Sequence, residues 1–237
     1  TAQEHFYQLV ATEKARELLL RKLLQQTQVC FDTETTSLNA LEAELVGIAF
    51  SWTAGQGYYL ALPEDRNEVE ELLAPFNVFF EHPEIEKIGH NLKYDLKVLR
   101  NYGIVVQAPF FDTMVAHYLV NPDMRHNMDI LAETYLNYSP QPITDLIGKK
   151  GKNQGSMRDV PLEQQTEYAV EDADITLQLK QHFEKEMAAA DTLSLYKKVE
   201  LPLVEVLTDM ECEGINLDTE FLGELSKGLS SDGEKLE

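Results

Sequence analysis

Apolar residues fall in short runs bounded by turn formers in the first half of the chain and at helical spacing through most of the second. Residues 6–10 read as a short strand, and Thr12 stands where a cap belongs, ahead of Ala15, Leu18, Leu19 and Leu23 on one helical face. Val29-Cys30-Phe31 is a strand. Residues 45–52 and 57–62 are two more, joined by a glycine-containing turn, so the three predict an antiparallel meander. A helix is expected over about 67–80, a strand over 85–89 and a helix over 92–101. From Asp112 onward the pattern is helical, broken at Asn121-Pro122 and by a polar loop over 148–155. Strands first and helices later predict an α/β fold with a mixed sheet.

Composition narrows the function classes. A chain of 237 residues holds one sizeable core, or one domain and part of another. With 43% hydrophobic and 26% charged residues and no low-complexity segment, disorder is not expected. Cys30 and Cys212 are too few for a disulfide framework or a cysteine zinc site, which fits a reducing cytoplasm. No apolar run is long enough to span a membrane, and the N-terminus has no signal pattern, so no membrane partner is expected. The chain begins with Thr, as an excised piece would. A net charge of −21 argues against an independent high-affinity nucleic-acid binder, because an acidic surface repels a polyanion. It leaves room for a subordinate domain whose cleft holds metal ions and only the last nucleotides of a strand.

Three stretches carry candidate chemistry. Asp32 and Glu34 lie two apart at the end of an apolar strand and project to one face. Taken alone, the pair also fits a solvated turn, and Asp32 a phosphatase-type nucleophile. Asp95 lies in the first turn of a helix that Asn91 is placed to cap, where an acid is favoured by the helix dipole alone. Tyr168 and Asp172 lie four apart on one face of a helix over about 162–187, while Glu171 and Asp174 point elsewhere. A solvated acidic face is the alternative there, although Ala169, Ala173, Leu177 and Leu179 make much of that helix apolar.

Phe31-Asp32-Thr33-Glu34-Thr35, Asn91-Leu92-Lys93-Tyr94-Asp95 and Tyr168-Ala169-Val170-Glu171-Asp172-Ala173-Asp174 together resemble the three exonuclease motifs of the proofreading domain in the family A DNA polymerases, the bacterial DNA polymerase I type. Phe111-Asp112-Thr113-Met114, the Met128 to Glu133 stretch and Gly151-Lys152-Asn153-Gln154 also resemble that family, so the likeness covers nearly all of residues 5–188. It implies a ribonuclease H-like fold of the DEDD (Asp-Glu-Asp-Asp) exonuclease superfamily, a central mixed β-sheet flanked by helices, in the subclass with Tyr in the third motif.

The same resemblance implies two divalent cations, Mg2+ or Mn2+, with Asp32, Glu34 and Asp172 on the tighter one and Asp32 and Asp95 on the second. Tyr168 and Glu34 would orient the attacking water, one ion making it more nucleophilic and the other stabilising the leaving 3′ oxygen. Leu38 would pack on the terminal base or sugar, and Asn91, Tyr94 and Arg125 would touch the last nucleotides. Each of these four also has an ordinary alternative: core for Leu38, cap for Asn91, helix packing for Tyr94, and pairing with Asp123 or Asp129 for Arg125. No aromatic stands in the 143–160 loop, where related enzymes can present one to a frayed strand.

The expected function is hydrolysis of single-stranded or frayed DNA 3′ ends to nucleoside monophosphates, as the proofreading module of a DNA polymerase. The alternatives are a catalytically weak scaffold for the polymerase domain and a ribonuclease of the same superfamily. Residues 1–190 are expected to be the exonuclease domain. Residues 191–237, with apolar positions 203, 206, 207 and 210 at helical spacing and Gly214 at a helix end, resemble the truncated start of the polymerase domain. The partners expected are a single-stranded DNA 3′ end and that polymerase domain, for a monomer in the cytoplasm.

Overall fold

Val29, Cys30 and Phe31 form an unbroken apolar run because their strand is covered on both faces. The computed structural model describes residues 5–149, 151 and 154–236, so Lys150, Lys152 and Asn153 of the expected polar loop lie outside the described residues. Its sheet has six strands: β1 (Phe6–Leu9), β2 (Gln28–Thr35), β3 (Leu45–Thr53), β4 (Gln56–Ala61), β5 (Glu86–Gly89) and β6 (Phe110–Asp112), in the order β1-β4-β3-β2-β5-β6. The meander β2-β3-β4 is antiparallel, as its turns predict, while β1 joins β4, and β5 and β6 extend β2, in parallel. Gly55 takes φ 75° in the tight turn between β3 and β4, a conformation that favours glycine.

Alternation along the strands divides the interior in two. Val29, Phe31, Ile48, Phe50 and Leu60 pack with α1 (Glu13–Leu23), α2 (Arg66–Leu73), α3 (Asn77–Phe80) and α4 (Leu92–Asn101). Cys30, Ala49, Tyr59 and Ile88 face the opposite way, against α5 (Thr113–Val120), α6 (Met128–Leu131) and the long α8 (Leu162–Ala189), while the short α7 (Ile143–Ile147) packs with Val46, Met157 and Val160. The Thr12 hydroxyl accepts from Ala15 N at 3.2 Å, the cap that its position predicts.

Three expectations are corrected. The helix over about 67–80 is interrupted by a tight 3-10 turn at Ala74–Phe76, because Pro75 supplies no N–H. Strand β6 was not expected; three residues after a proline carry no periodicity to detect. Asn91 occupies the cap position of α4, but in the left-handed region (φ 61°) and with no side-chain cap bond, so α4 is capped from elsewhere.

After α9 (Leu193–Leu195), Tyr196 is buried against Phe111. Helix α10 (Leu201–Glu213) lies on α4, ending at Gly214 (φ 73°). The apolar stripe expected on α10 faces outward, with Leu203, Val206 and Met210 exposed; Val204 and Thr208, four apart, make the buried contact instead. Glu211 pairs with Lys93 and Lys97, and Asp209 with Arg100, on the flank of that contact. Helix α11 (Thr219–Leu236) buries no residue. Among the described residues, no helix is long and apolar enough to cross a membrane.

Candidate active site

Strand β2 presents Asp32 and Glu34 on the face that carries Cys30, toward α8. Across the ladder they meet Ala49 and Gly47, and small residues are needed there: a Cβ on Gly47 would lie 2.2 Å from the Tyr59 ring. The register slips between Glu34 and Thr35, where β2 leaves the sheet and opens the site. Helix α8 supplies Asp172 and, one turn earlier, Tyr168, whose side chains line the same cleft. One carboxylate oxygen each of Asp32, Glu34 and Asp172 lies within 4.8 Å of the others.

Asp95 arrives from the opposite layer in the first turn of α4. Its Oδ1 accepts from Thr33 N at 3.1 Å and from Thr33 Oγ1 at 2.5 Å, which fastens it to β2 between the other two acids. All four carboxylates and Tyr168 therefore line one cleft, as Leu38, Asn91 and Tyr94 do.

Among the described residues, no ion pair compensates the charge in this cleft. Glu34, Asp95 and Asp172 are 7%, 3% and 7% exposed, and Asp32 is half-buried. Burial, followed by repulsion from the neighbouring acids, holds Asp32, Glu34 and Asp172 well above the usual carboxylate range. Burial also lifts Asp95 to about 7, against the opposing effect of the Thr33 hydrogen bonds. Glu34 Oε1 is buried without a hydrogen-bond partner. Hard oxygen donors, close together, one of them orphaned and none neutralised, fit a divalent cation of the Mg2+ or Mn2+ kind.

The other predicted residues divide. Leu38 is 84% exposed at the rim of the cleft and is not core. Tyr94 bonds through its hydroxyl to Thr35 Oγ1 and Ser37 O, holding the segment that leads to Leu38. Asn91 is exposed with its side chain free of any capping role. Arg125 is exposed, lies outside the residues that line the cleft, and makes no ion pair with Asp123 or Asp129. Glu171 and Asp174 point away, as their helical angle predicts: Glu171 accepts from Gln141 N at 2.9 Å and from Tyr138 Oη, and Asp174 from Gly55 N and Tyr7 Oη at 3.0 and 2.9 Å.

Sequence reasoning missed the far wall of the cleft, where Ile143, Ile147 and Met157 pack beside Tyr168. The i, i+4 spacing of the two isoleucines was the available signal. It also missed a role for Asp112. Its side chain accepts from Met114 N at 2.8 Å at the start of α5 and from Leu92 N at 2.8 Å at the start of α4. An acid directly before a helical run is a readable cap signal for α5, but nothing local connects it to α4.

Comparison with known proteins agrees with this geometry. A 3′-5′ exonuclease family model matches residues 7–188. The DNA polymerase I of Chloroflexus aurantiacus is 39% identical over 218 residues, covering 88% of this chain and 22% of the relative. That of Borreliella burgdorferi is 34% identical over 220 residues, covering 91% and 24%. The chain thus spans about a quarter of the length of such relatives. Among solved structures, the POL domain of Pol1 from M. smegmatis, in complex with DNA primer-template and dNTP, superimposes with a TM-score of 0.75 at 22% identity, covering 94% of this chain and 35% of that one. Escherichia coli RNase D, an exoribonuclease, gives 0.67 at 20% identity, covering 88% and 51%. These two identities speak for the fold, which is the ribonuclease H-like one expected. The family model and the DNA polymerase I relatives speak for more: the chain belongs to the 3′-5′ exonuclease family, as the domain of the DNA polymerase I type.

Proposed function

We propose that this domain removes nucleotides one at a time from single-stranded or frayed DNA 3′ ends, in the service of a polymerase that forms the rest of a longer chain. The observation that carries the reading is the convergence of Asp32, Glu34 and Asp172 within 4.8 Å, with Glu34 Oε1 unpartnered and no ion pair to any of them among the described residues. Asp32, Glu34 and Asp172 would hold one divalent ion, and Asp32 with Asp95 a second. When bound, such ions activate water and stabilise charge on the departing oxygen.

The chain's own groups account for the remaining tasks. Burial, then repulsion from Asp172, Glu34 and Asp32, raises the Tyr168 phenol far above its ordinary range, so it stays protonated. It acts as an orienting donor and not as a base. The free Glu34 Oε1 is the complementary acceptor for the incoming water. Hydrolysis forms a new P–O bond from that water and breaks the bond to the 3′ oxygen of the penultimate nucleotide; the water gives up a proton and the 3′ oxygen gains one. Leu38 offers an aliphatic face to the last base or sugar in the cleft that Ile143 and Ile147 also line. Asn91 and Tyr94 flank the entry, and Arg125 would meet phosphates only of a strand that continues past the cleft wall.

The acidic surface supports a subordinate role, since the net charge of −21 repels the rest of a bound strand. We place the exonuclease domain at residues 1–190 and the start of a polymerase domain at 191–237, as a monomer in the cytoplasm; the free thiols of Cys30 and Cys212 fit a reducing compartment. The test is a 5′-labelled single-stranded DNA oligonucleotide incubated with Mn2+ or Mg2+, beside an RNA oligonucleotide, EDTA and Asp32→Ala. A ladder shortening from the 3′ end of DNA, lost in both controls, is expected. Degradation without metal would sink the reading, and preference for RNA would transfer it to a ribonuclease.

A further inference from the structure

Asp112 stands at the C-terminal end of β6 and is buried, yet its carboxylate is fully engaged. Its Oδ2 accepts from Leu92 N at 2.8 Å. Its Oδ1 accepts from Asn91 N at 3.3 Å, Met114 N at 2.8 Å and Val115 N at 3.2 Å. One side chain therefore closes the N-termini of two helices, α4 and α5, and supplies the cap that Asn91 does not make. The backbone of Asp112 is fixed in turn by Tyr196, whose hydroxyl accepts from Asp112 N at 2.7 Å and donates to Asp112 O at 3.2 Å. Tyr196 lies beyond the stretch matched by the exonuclease family model.

The consequence falls on Asp95. It sits one turn into α4, so its carboxylate is located by two anchors: Thr33 at its tip, and the start of its helix at its root. Asn91 holds a left-handed backbone at the junction, a conformation that surrounding bonds must maintain. We infer that Asp112, backed by the Tyr196 hydroxyl, is the positioning residue that sets Asp95 at the distance from Asp32, Glu34 and Asp172 that cation binding and hydrolysis require. This rests on the exonuclease reading of the cleft.

Asp112→Asn separates the two jobs. Its amide oxygen can keep the three donors now on Oδ1, which preserves the cap of α5, while its NH2 group turns toward Leu92 N–H and removes the bond to α4 alone. The experiment measures kcat and KM on a single-stranded DNA oligonucleotide, and Mn2+ affinity by calorimetry, for wild type, Asp112→Asn and Tyr196→Phe. For Asp112→Asn the expected result is kcat lower by about tenfold or more, KM within about twofold, and Mn2+ bound severalfold more weakly, with cooperative thermal unfolding retained. Tyr196→Phe should shift kcat and Mn2+ affinity in the same direction by a smaller factor, and it decides the matter by the same criteria if Asp112→Asn does not fold. Mn2+ affinity within about twofold of wild type in the folded variant overturns the inference, whether or not stability falls, because a merely structural loss would not reach the cation. A wild type that binds Mn2+ yet cleaves nothing would sink the exonuclease reading while the affinity comparison still judges Asp112.

Discussion

Asp172 and Asp174 lie two residues apart on α8, at 7% and 4% exposure, and serve opposite ends. On the hairpin side, Asp174 receives Gly55 N–H, the Tyr7 hydroxyl and the Gln178 amide, and so ties β1 and the β3-β4 turn to the helix. On the cleft side, Asp172 stands beside Tyr168 and faces Glu34, whose Oε1 has no partner. Residue type and burial are the same in the two places; what differs is the supply of donors. A buried carboxylate whose lone pairs are satisfied is a structural tie, whereas buried carboxylates left facing one another are a place for a cation.

Breaking the cleft side should have the largest effect on chemistry. Asp32→Ala or Asp172→Ala is expected to lower kcat by roughly a thousandfold or more, since an electrostatic centre is dismantled. The thermal midpoint of the metal-free protein should stay level or rise as repulsion is relieved, and unfolding by circular dichroism checks this. Breaking the hairpin side should do the reverse: Asp174→Ala is expected to cost about 1–3 kcal/mol of stability in a denaturant titration, because buried donors lose their acceptor. Its hydrolysis per folded molecule should remain within about twofold of wild type.

Two finer tests sharpen the contrast. Tyr168→Phe removes one orienting hydroxyl and leaves the acids, so kcat should fall by no more than about tenfold, the value of a single hydrogen bond in the transition state. The smallest effect is a pH dependence that belongs to the cleft. Asp95 is raised to about 7, and Asp32, Glu34 and Asp172 are raised in the same direction, so between the ordinary carboxylate range and these folded values the native state binds more protons than the unfolded one. Stability of the metal-free protein therefore falls as pH rises through that window. Differential scanning should show a midpoint several degrees lower at pH 8 than at pH 5, a difference recovered by adding Mn2+ at pH 8 and smaller in Asp95→Asn.

Much of the fold was legible locally. The strand-turn-strand signals at 45–62 and the Thr12 cap are short-range effects, and the structure reproduces them. So were the phases of the acids: Asp32 with Glu34 by strand alternation, Tyr168 with Asp172 by one helical turn. The break at Pro75 was equally local and passed unread, since a missing N–H is visible in sequence. The outward face of α10 was not legible. Leu203, Val206 and Met210 form a regular stripe, but which side of a helix is covered depends on the neighbour it finds, here α4 through Val204 and Thr208.

By itself, then, the amino-acid order determined most of the elements, the faces on which the acids project and, through its resemblance to the family A exonucleases, the family. Local preference and periodicity act over a few residues, and motif spacing is carried by the chain. Tertiary structure alone decided that α4 and α8, from opposite layers, meet at the end of β2. It alone left Glu34 Oε1 without a donor, kept Arg125 outside the cleft wall, and brought Asp112 from β6 to cap a helix twenty residues earlier. Those outcomes depend on sheet order and helix packing, which join residues far apart in sequence, and no local pattern encodes the distance between two carboxylates on different elements.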